Sequence, residues 1–250
     1  MSINIVIANQ KGGVGKTTSA SSLAHGLALR SRRVLLVDFD PQGQCATALG
    51  INQEPGVFNA LVNPRSDIHQ WIRDTGRAGL DLLPGDRSTA TAQIVINAEN
   101  RPINSIRMLF KPLGKEYDHI IFDTAPSLGG IQERAIYAAD LTMIPTATEF
   151  LSMNGLAQMI QLLNSLRDPH NWIGKLAGIL PTFYDEQTSE SNKSLAELKA
   201  NFDGSVLSPL HRATILRECA AEGKTIFEMD PASRASREYE ELTRVVVKLS

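Results

Sequence analysis

The chain has 250 residues and a formal net charge of −2, with 42% hydrophobic and 21% charged residues. That is ordinary globular composition with enough length for a well-filled core, and it offers no general attraction to nucleic acid or acidic lipid, so any such binding must come from a local patch. Two cysteines without paired spacing, Cys45 and Cys219, argue against a disulfide framework or a Cys-rich metal centre. With no leader pattern or long apolar run, a soluble, cytoplasmic protein is expected.

Short apolar runs alternate with helical patterns along the chain. Strands are predicted at 3–8, 33–38, 80–84, 119–123, 141–145 and 176–181. Most are continuously apolar, which suits a mostly parallel sheet covered on both faces. After the first strand, Ala20, Leu23, Ala24, Leu27 and Ala28 fall on one helical face. Further helices are expected at 102–114, 131–139, 152–167 and 189–201. A helix ending near Gly223 follows, then a last one with Asp230 as N-cap and Pro231 in its first turn. Residues 51–79 are the least regular part and are expected to form a surface excursion. The fold class read from this order is α/β, doubly wound with helices on both faces of the sheet, as one domain over 1–250.

The stretch "NQKGGVGKTTSA" (9–20) lies between the first strand and the first helix, the context of a phosphate-binding loop. Its glycines let backbone N–H groups turn toward phosphate oxygens, and the new helix adds its positive end. Gly12, Gly13, Val14, Gly15, Lys16, Thr17 and Thr18 are therefore candidate nucleotide contacts. Lys16 is placed to reach β- and γ-phosphates and Thr17 to ligate Mg²⁺. The standard spacing has a glycine where this chain has Gln10, so the loop is a variant, and it carries a second lysine, Lys11.

"KGGVGKTT" resembles the deviant Walker A loop of the ParA/MinD family of dimeric ATPases. "VLLVDFDPQGQCATALG" (34–50) resembles the family's second motif and switch, "HIIFDTAPSLG" (119–129) its Walker B strand and following switch, and 215–242 a ParA C-terminus. The resemblance covers most of the chain and implies a P-loop NTPase fold, ATP and Mg²⁺ as ligands, and a homodimer that sandwiches two ATP molecules. It makes Lys11 a signature lysine that crosses to the partner's nucleotide. It assigns Asp40 to the attacking water, Asp38 to a place near the Mg²⁺ hydration shell and Asp123 to holding that shell, with Thr17 as ligand. Asp38 and Asp40 are expected to face apart and so have different jobs, although Asp40 also suits a turn cap before Pro41. Gly43 and the pair Gly129–Gly130 are read as giving both loops freedom to rearrange. Adenine contacts are expected from "PTFYD" (181–185) and "SPLHRAT" (208–214), with Pro181, Thr182 and Pro209 as candidates.

Members of the family bind either DNA, nonspecifically as ATP dimers, or membrane, through a C-terminal amphipathic tail. Arg212, Arg217, Lys224, Arg234 and Arg237 are candidate DNA contacts, with Ile215 where the family pattern has a further basic residue. The i,i+4 pairs Arg234–Glu238, Arg237–Glu241 and Glu240–Arg244 equally suit a solvated helix face. The stripe Leu242, Val245, Val246 and Leu249 is expected to pack on the domain rather than on a membrane, having few flanking cations and no Trp or Phe. The five histidines, His25, His69, His119, His170 and His211, lack metal-ligand spacing. The resulting expectation is a short ParA-like ATPase, nucleoid-associated when ATP-bound. A ParB-type protein or organelle adaptor would stimulate it, and its cargo would be a plasmid, a chromosome or an organelle such as a carboxysome. The alternative is a MinD-like membrane cycle.

Overall fold

All six predicted strands form, and each is buried at its carboxyl end. A computed structural model describes residues 2–126, 130–149, 153–170 and 172–249. The strands are β1 (Ile3–Ile7), β2 (Val34–Asp38), β3 (Arg73–Arg77), β4 (Leu80–Leu83), β5 (His119–Asp123), β6 (Leu141–Ala147) and β7 (Lys175–Thr182). They build a seven-stranded sheet in the order β3-β4-β2-β5-β1-β6-β7. Every pairing is parallel except β3 with β4.

Strand alternation divides the core in two. Val6, Leu35, Val37, Ile120 and Phe122 face one helical layer, formed by α3 (Gly56–Val62), α4 (Ser88–Ala98), α5 (Ser105–Phe110), α6 (Ile131–Ala138) and α7 (Met153–His170). Ile5, Ile7, Val34, Leu36 and Ile121 face the other, dominated by α1 (Lys16–Ala28) and α11 (Arg234–Leu249). The short α2 (Gln44–Ala48) and α10 (Ile226–Met229) pack beside α1, α9 (Ile215–Ala221) packs against both of them, and α8 (Ser189–Asn201) follows β7. The predicted face of α1 is wholly buried, and so are Leu242 and Val246 of α11, while Leu249 is exposed. Among the described residues, no helix is long and apolar enough to cross a membrane.

Residues 51–79 are not an irregular excursion. They contain α3, a single 3₁₀ turn at Ile68–Trp71 and the antiparallel edge strand β3, with Val57, Ala60 and Leu61 in the core. The strand escaped prediction because its sequence, RDTGR, has almost nothing to bury on an edge. The helix expected at 102–114 is shorter, giving way to a 3₁₀ turn at Lys111–Lys115 that contains Pro112. A proline inside the turn cannot supply the N–H that would continue an α-helix. The last helix begins three residues later than predicted. Asp230 and Pro231 form a preceding turn, and Ser233 supplies the cap, its Oγ accepting the Ser236 N–H at 3.1 Å.

Both rims of the sheet are finished differently. β3 carries a register shift between Asp74 and Arg77. Along β7, the segment 205–212 is tied by main-chain bonds, among them Leu207 N–H to Ile179 O at 2.9 Å and Leu210 N–H to Pro181 O at 2.8 Å.

Candidate nucleotide site

Parallel register brings the carboxyl ends of three strands together. Ile7 and Asp38 both pair with Asp123, so the loop after β1 lies directly above two carboxylates. This is where open α/β sheets bind ligands. The loop is anchored at three points. The Asn9 amide donates to the Pro145 carbonyl at 2.7 Å, its Oδ1 accepts the Lys11 N–H at 2.9 Å, and the Val14 carbonyl accepts the Thr182 hydroxyl at 3.0 Å. Gly15 caps α1 with φ 83°, a left-handed conformation that side-chain-bearing residues resist.

At the start of α1, Lys16 is 6% exposed and its Nζ donates to the Lys11 carbonyl at 3.0 Å. Burial pushes its ammonium pKa down, while the charges of Asp123 and Asp40 oppose the shift. The Thr17 hydroxyl donates to Asp123 Oδ2 at 2.6 Å. Asp38 accepts the Asp40 N–H at 3.1 Å on one oxygen and the Cys45 N–H at 2.9 Å on the other. The Cys45 thiol donates to Asp123 Oδ2 at 3.3 Å. Asp123 Oδ1 is buried and has no partner among the described residues. Burial raises the Asp38 carboxyl well above the usual range, with the charge of Asp123 adding to it. Burial also raises Asp123, to about 6, against the pull of its bonds from Thr17 and Cys45 and of the Lys16 charge.

Two adjacent buried carboxylates, one with an oxygen lacking a donor, lie beside the Thr17 hydroxyl. This is a set of hard oxygen groups short of positive charge, and it fits a Mg²⁺ ion held jointly with phosphate oxygens.

Asp38 and Asp40 do differ in environment, but strand alternation is not the reason, since residues two apart share a face. β2 ends at Asp38, which is buried at the strand terminus. Asp40 lies in the turn beyond and is partly exposed, its Oδ1 accepting the Gln42 N–H at 2.9 Å. Gly43 is also placed otherwise than as a free hinge. With φ 62°, a Cβ there would stand 2.6 Å from the Gly85 carbonyl oxygen, so glycine permits a close approach of two loops. Gly129, with Ser127 and Leu128, lies outside the described residues, as does the side chain of His170.

Beside the loop opens a cavity of about 440 Å³, its walls including Gly13, Gly15, Thr18, Thr182, Phe183 and Leu210. Phe183 has φ 53°, an uncommon backbone state for a bulky residue. The segments 181–185 and 208–214 thus both reach this wall. Pro181 and Pro209 themselves do not line it, and Pro209 borders a separate groove beside α11.

A sequence model described as an AAA domain matches residues 2–173. The chromosome partitioning protein ParA of Myxococcus xanthus is 36% identical over 249 residues, covering 98% of this chain and 87% of that protein. The chain belongs to the ParA/MinD family of ATPases. The sporulation initiation inhibitor protein Soj of Bacillus subtilis is 34% identical, with 97% of each chain covered. Among solved structures, cobyrinic acid a,c-diamide synthase of Mycobacterium smegmatis with a bound ATP analog and magnesium superposes with a TM-score of 0.85. It is 26% identical, with 99% of this chain and 95% of that chain covered.

The basic residues near the C-terminus of this ParA/MinD-family chain fall into two groups. Arg212 pairs with Glu149, and Arg234 pairs with Glu238 at 2.9 Å and Glu186 at 3.2 Å. Arg217, Lys224 and Arg237 are exposed and carry no ion pair among the described residues. Arg244 pairs with Glu240 at 2.5 Å. The described histidines lie in different surroundings. His25 is buried with its Nδ1 2.6 Å from the Thr225 hydroxyl, His119 is buried, and His69 and His211 contact carboxylates.

Sequence reasoning missed Cys45 as a member of the site. In the sequence it falls within the switch-like segment 34–50, whereas in the structure α2 brings it against Asp38 and Asp123. Its position seven residues after Asp38, at the start of a helical turn, was the available signal.

Proposed function

We propose that this chain is a ParA-like ATPase that dimerises around two ATP molecules, binds DNA nonspecifically in that state, and positions or segregates a cargo as hydrolysis releases it. One observation carries the reading. Lys16, Thr17, Asp38 and Asp123 converge under a glycine loop whose other lysine, Lys11, lies at the loop's partly exposed edge.

In this reading Lys16 leaves the Lys11 carbonyl for the β- and γ-phosphates, while Gly12 to Thr18 supply backbone and hydroxyl donors. Thr17, Asp38 and Asp123 would hold Mg²⁺, directly or through its water shell, and the ion when bound offsets phosphate charge. Asp40, at the partly exposed turn, orients the attacking water. Lys11 reaches the partner's nucleotide and adds a cation only when two loaded chains face each other. A comparable cation supplied in trans is worth about 10³–10⁵ in rate in GTPases. The cavity wall around Thr182, Phe183 and Leu210 takes the base. Arg217, Lys224 and Arg237 are the better-placed DNA contacts, since Arg212 and Arg234 would first have to leave carboxylates. The chain would act as one ATPase domain in the cytoplasm, on the nucleoid while ATP-bound, with a cargo-linked protein stimulating turnover.

The test is co-sedimentation of the Asp40→Ala variant with plasmid DNA and, in parallel, anionic liposomes, each with ATP and Mg²⁺. ATP-dependent binding to DNA that weakens steeply with salt supports the reading. Binding to liposomes alone would replace it with a MinD-like membrane cycle, and binding to neither would withdraw both surfaces while leaving the ATPase.

A further inference from the structure

Hydrolysis of a nucleotide with Mg²⁺ needs no sulfur, yet Cys45 stands against both buried carboxylates. We propose that Asp38, Cys45 and Asp123 form a binding site for a thiophilic divalent cation, Zn²⁺ or Cd²⁺, in the nucleotide-free chain.

The three residues are fully buried, and one ligand atom from each lies within 4.8 Å of the others. The Cys45 sulfur is 3.3 Å from Asp123 Oδ2, near the separation of about 3.6 Å between sulfur and oxygen ligands on tetrahedral zinc. A second observation is independent of the thiol. Asp123 Oδ1 has no partner among the described residues although Asp123 is fully buried, so the site already holds an unspent anionic oxygen.

Asp38 is oriented by the N–H groups of Asp40 and Cys45, the kind of support that fixes a ligand before the metal arrives. The Thr17 hydroxyl, 2.6 Å from Asp123 Oδ2, or a water molecule would complete four-coordination. A cavity of about 360 Å³ lined by Ser21, Gln44, Thr47 and Thr17 lies next to the site, Thr17 being the residue whose hydroxyl meets Asp123.

Ligand softness separates the two metals. Mg²⁺ takes oxygen and leaves the thiol protonated, whereas Zn²⁺ or Cd²⁺ displaces the thiol proton to solvent and bonds the thiolate. Both claims on the site use Asp123, so a bound thiophilic ion excludes productive Mg²⁺–ATP. That consequence alone rests on the ATPase reading.

The experiment is titration of the full-length, nucleotide-free protein with CdCl₂ in a chelator-free buffer, following the ultraviolet sulfur-to-cadmium charge-transfer absorption. Wild type and Cys219→Ala should both develop the band and saturate near one equivalent, and Cys45→Ser should not. Cys45→Ala, checked by circular dichroism, guards against a misfolded serine variant. Asp123→Asn should keep the thiol but weaken Cd²⁺ at least tenfold. Absence of the band in wild type, its survival without Cys45, its loss with Cys219, or unchanged affinity in Asp123→Asn would each overturn the site. No readout involves nucleotide, so failure of the ATPase reading would leave the outcome distinct.

Discussion

Lys16 donates its ammonium to the main-chain carbonyl of Lys11 at 3.0 Å, so the two lysines of the loop are joined through backbone, not through both side chains. Substituting Lys11 with alanine keeps that carbonyl. Lys11→Ala should therefore bind ATP within about threefold of wild type while losing dimerisation and at least about 10²-fold in stimulated hydrolysis. Lys16→Ala should lose at least about tenfold in ATP affinity, because charge-assisted phosphate contacts disappear. Nucleotide titration with sedimentation velocity separates the two. A fully active Lys11→Ala monomer would end the trans-lysine assignment.

The environments of Asp38 and Asp40 predict different lesions. Among the described residues the Asp40 side chain makes one hydrogen bond, accepted from the Gln42 N–H of a partly exposed turn, so Asp40→Ala should change stability by no more than about 1 kcal/mol and accumulate an ATP-bound dimer. Asp38 spends both oxygens on backbone N–H groups at a buried strand end. Asp38→Ala should cost about 2–4 kcal/mol by leaving those donors unpaired. Denaturant melts with single-turnover kinetics check both. Normal turnover by Asp40→Ala alongside a dead Asp38→Ala would reverse the roles.

The raised carboxyls make the ligand-free chain sensitive to rising pH. Asp123 has its pKa lifted by burial to about 6, so the native state holds a proton that the unfolded chain has released. Stability from this group is greatest below about pH 4 and falls as pH climbs through about 6, with Asp38 acting in the same direction. In the absence of nucleotide and metal, Asp123→Asn should gain on the order of 1–3 kcal/mol relative to wild type at pH 7.5 and nothing at pH 4. Thermal melts across that range give the answer, and a pH-independent difference would contradict the burial argument.

On α11, burial separates Leu242 from Leu249. Leu242 is 4% exposed and Leu249 48%. Leu242→Ala should destabilise by about 2–4 kcal/mol, and Leu249→Ala by less than about 0.5 kcal/mol. If Leu249→Ala instead abolished recovery with liposomes, the stripe would be an anchor and not a packing face.

Ion pairing ranks the arginines. Arg217→Ala and Lys224→Ala should each weaken ATP-dependent DNA retention and lower the salt slope by about 1 per lost phosphate contact. Arg234→Ala should act mainly on its bonds to Glu186 and Glu238. Equal effects of all three on the salt slope would show that the carboxylate pairs open on DNA.

The central strands were legible because a strand buried on both faces must be apolar throughout, as "RVLLVD" and "HIIFD" are. The loop at 9–20 was legible because phosphate binding restricts residue type and spacing together. Legibility failed where burial is thin. β3 reads RDTGR because an edge strand packs little, and α4 has only Thr89, Ala92 and Ile96 buried, with Ile94 exposed. It failed also for contacts made across long sequence gaps. Nothing local reveals that Arg77 bonds Glu228 at 2.9 Å and the Gly223 carbonyl at 2.9 Å, or that His25 meets Thr225. In the site, the loop and its carboxylates were readable, while the thiol beside them depended on how α2 folds back.

The two rims of the sheet bear on solubility in a protein proposed to cycle between one chain and two. An uncovered strand is a template on which further copies can add, and the process has no natural end. Here one rim is kinked and charged through Arg73, Asp74 and Arg77, and the other is already occupied by residues 205–212 of the same chain. Growth by strand addition is therefore closed in both directions. In the proposed cycle, self-association would use the loop face and stop at two copies.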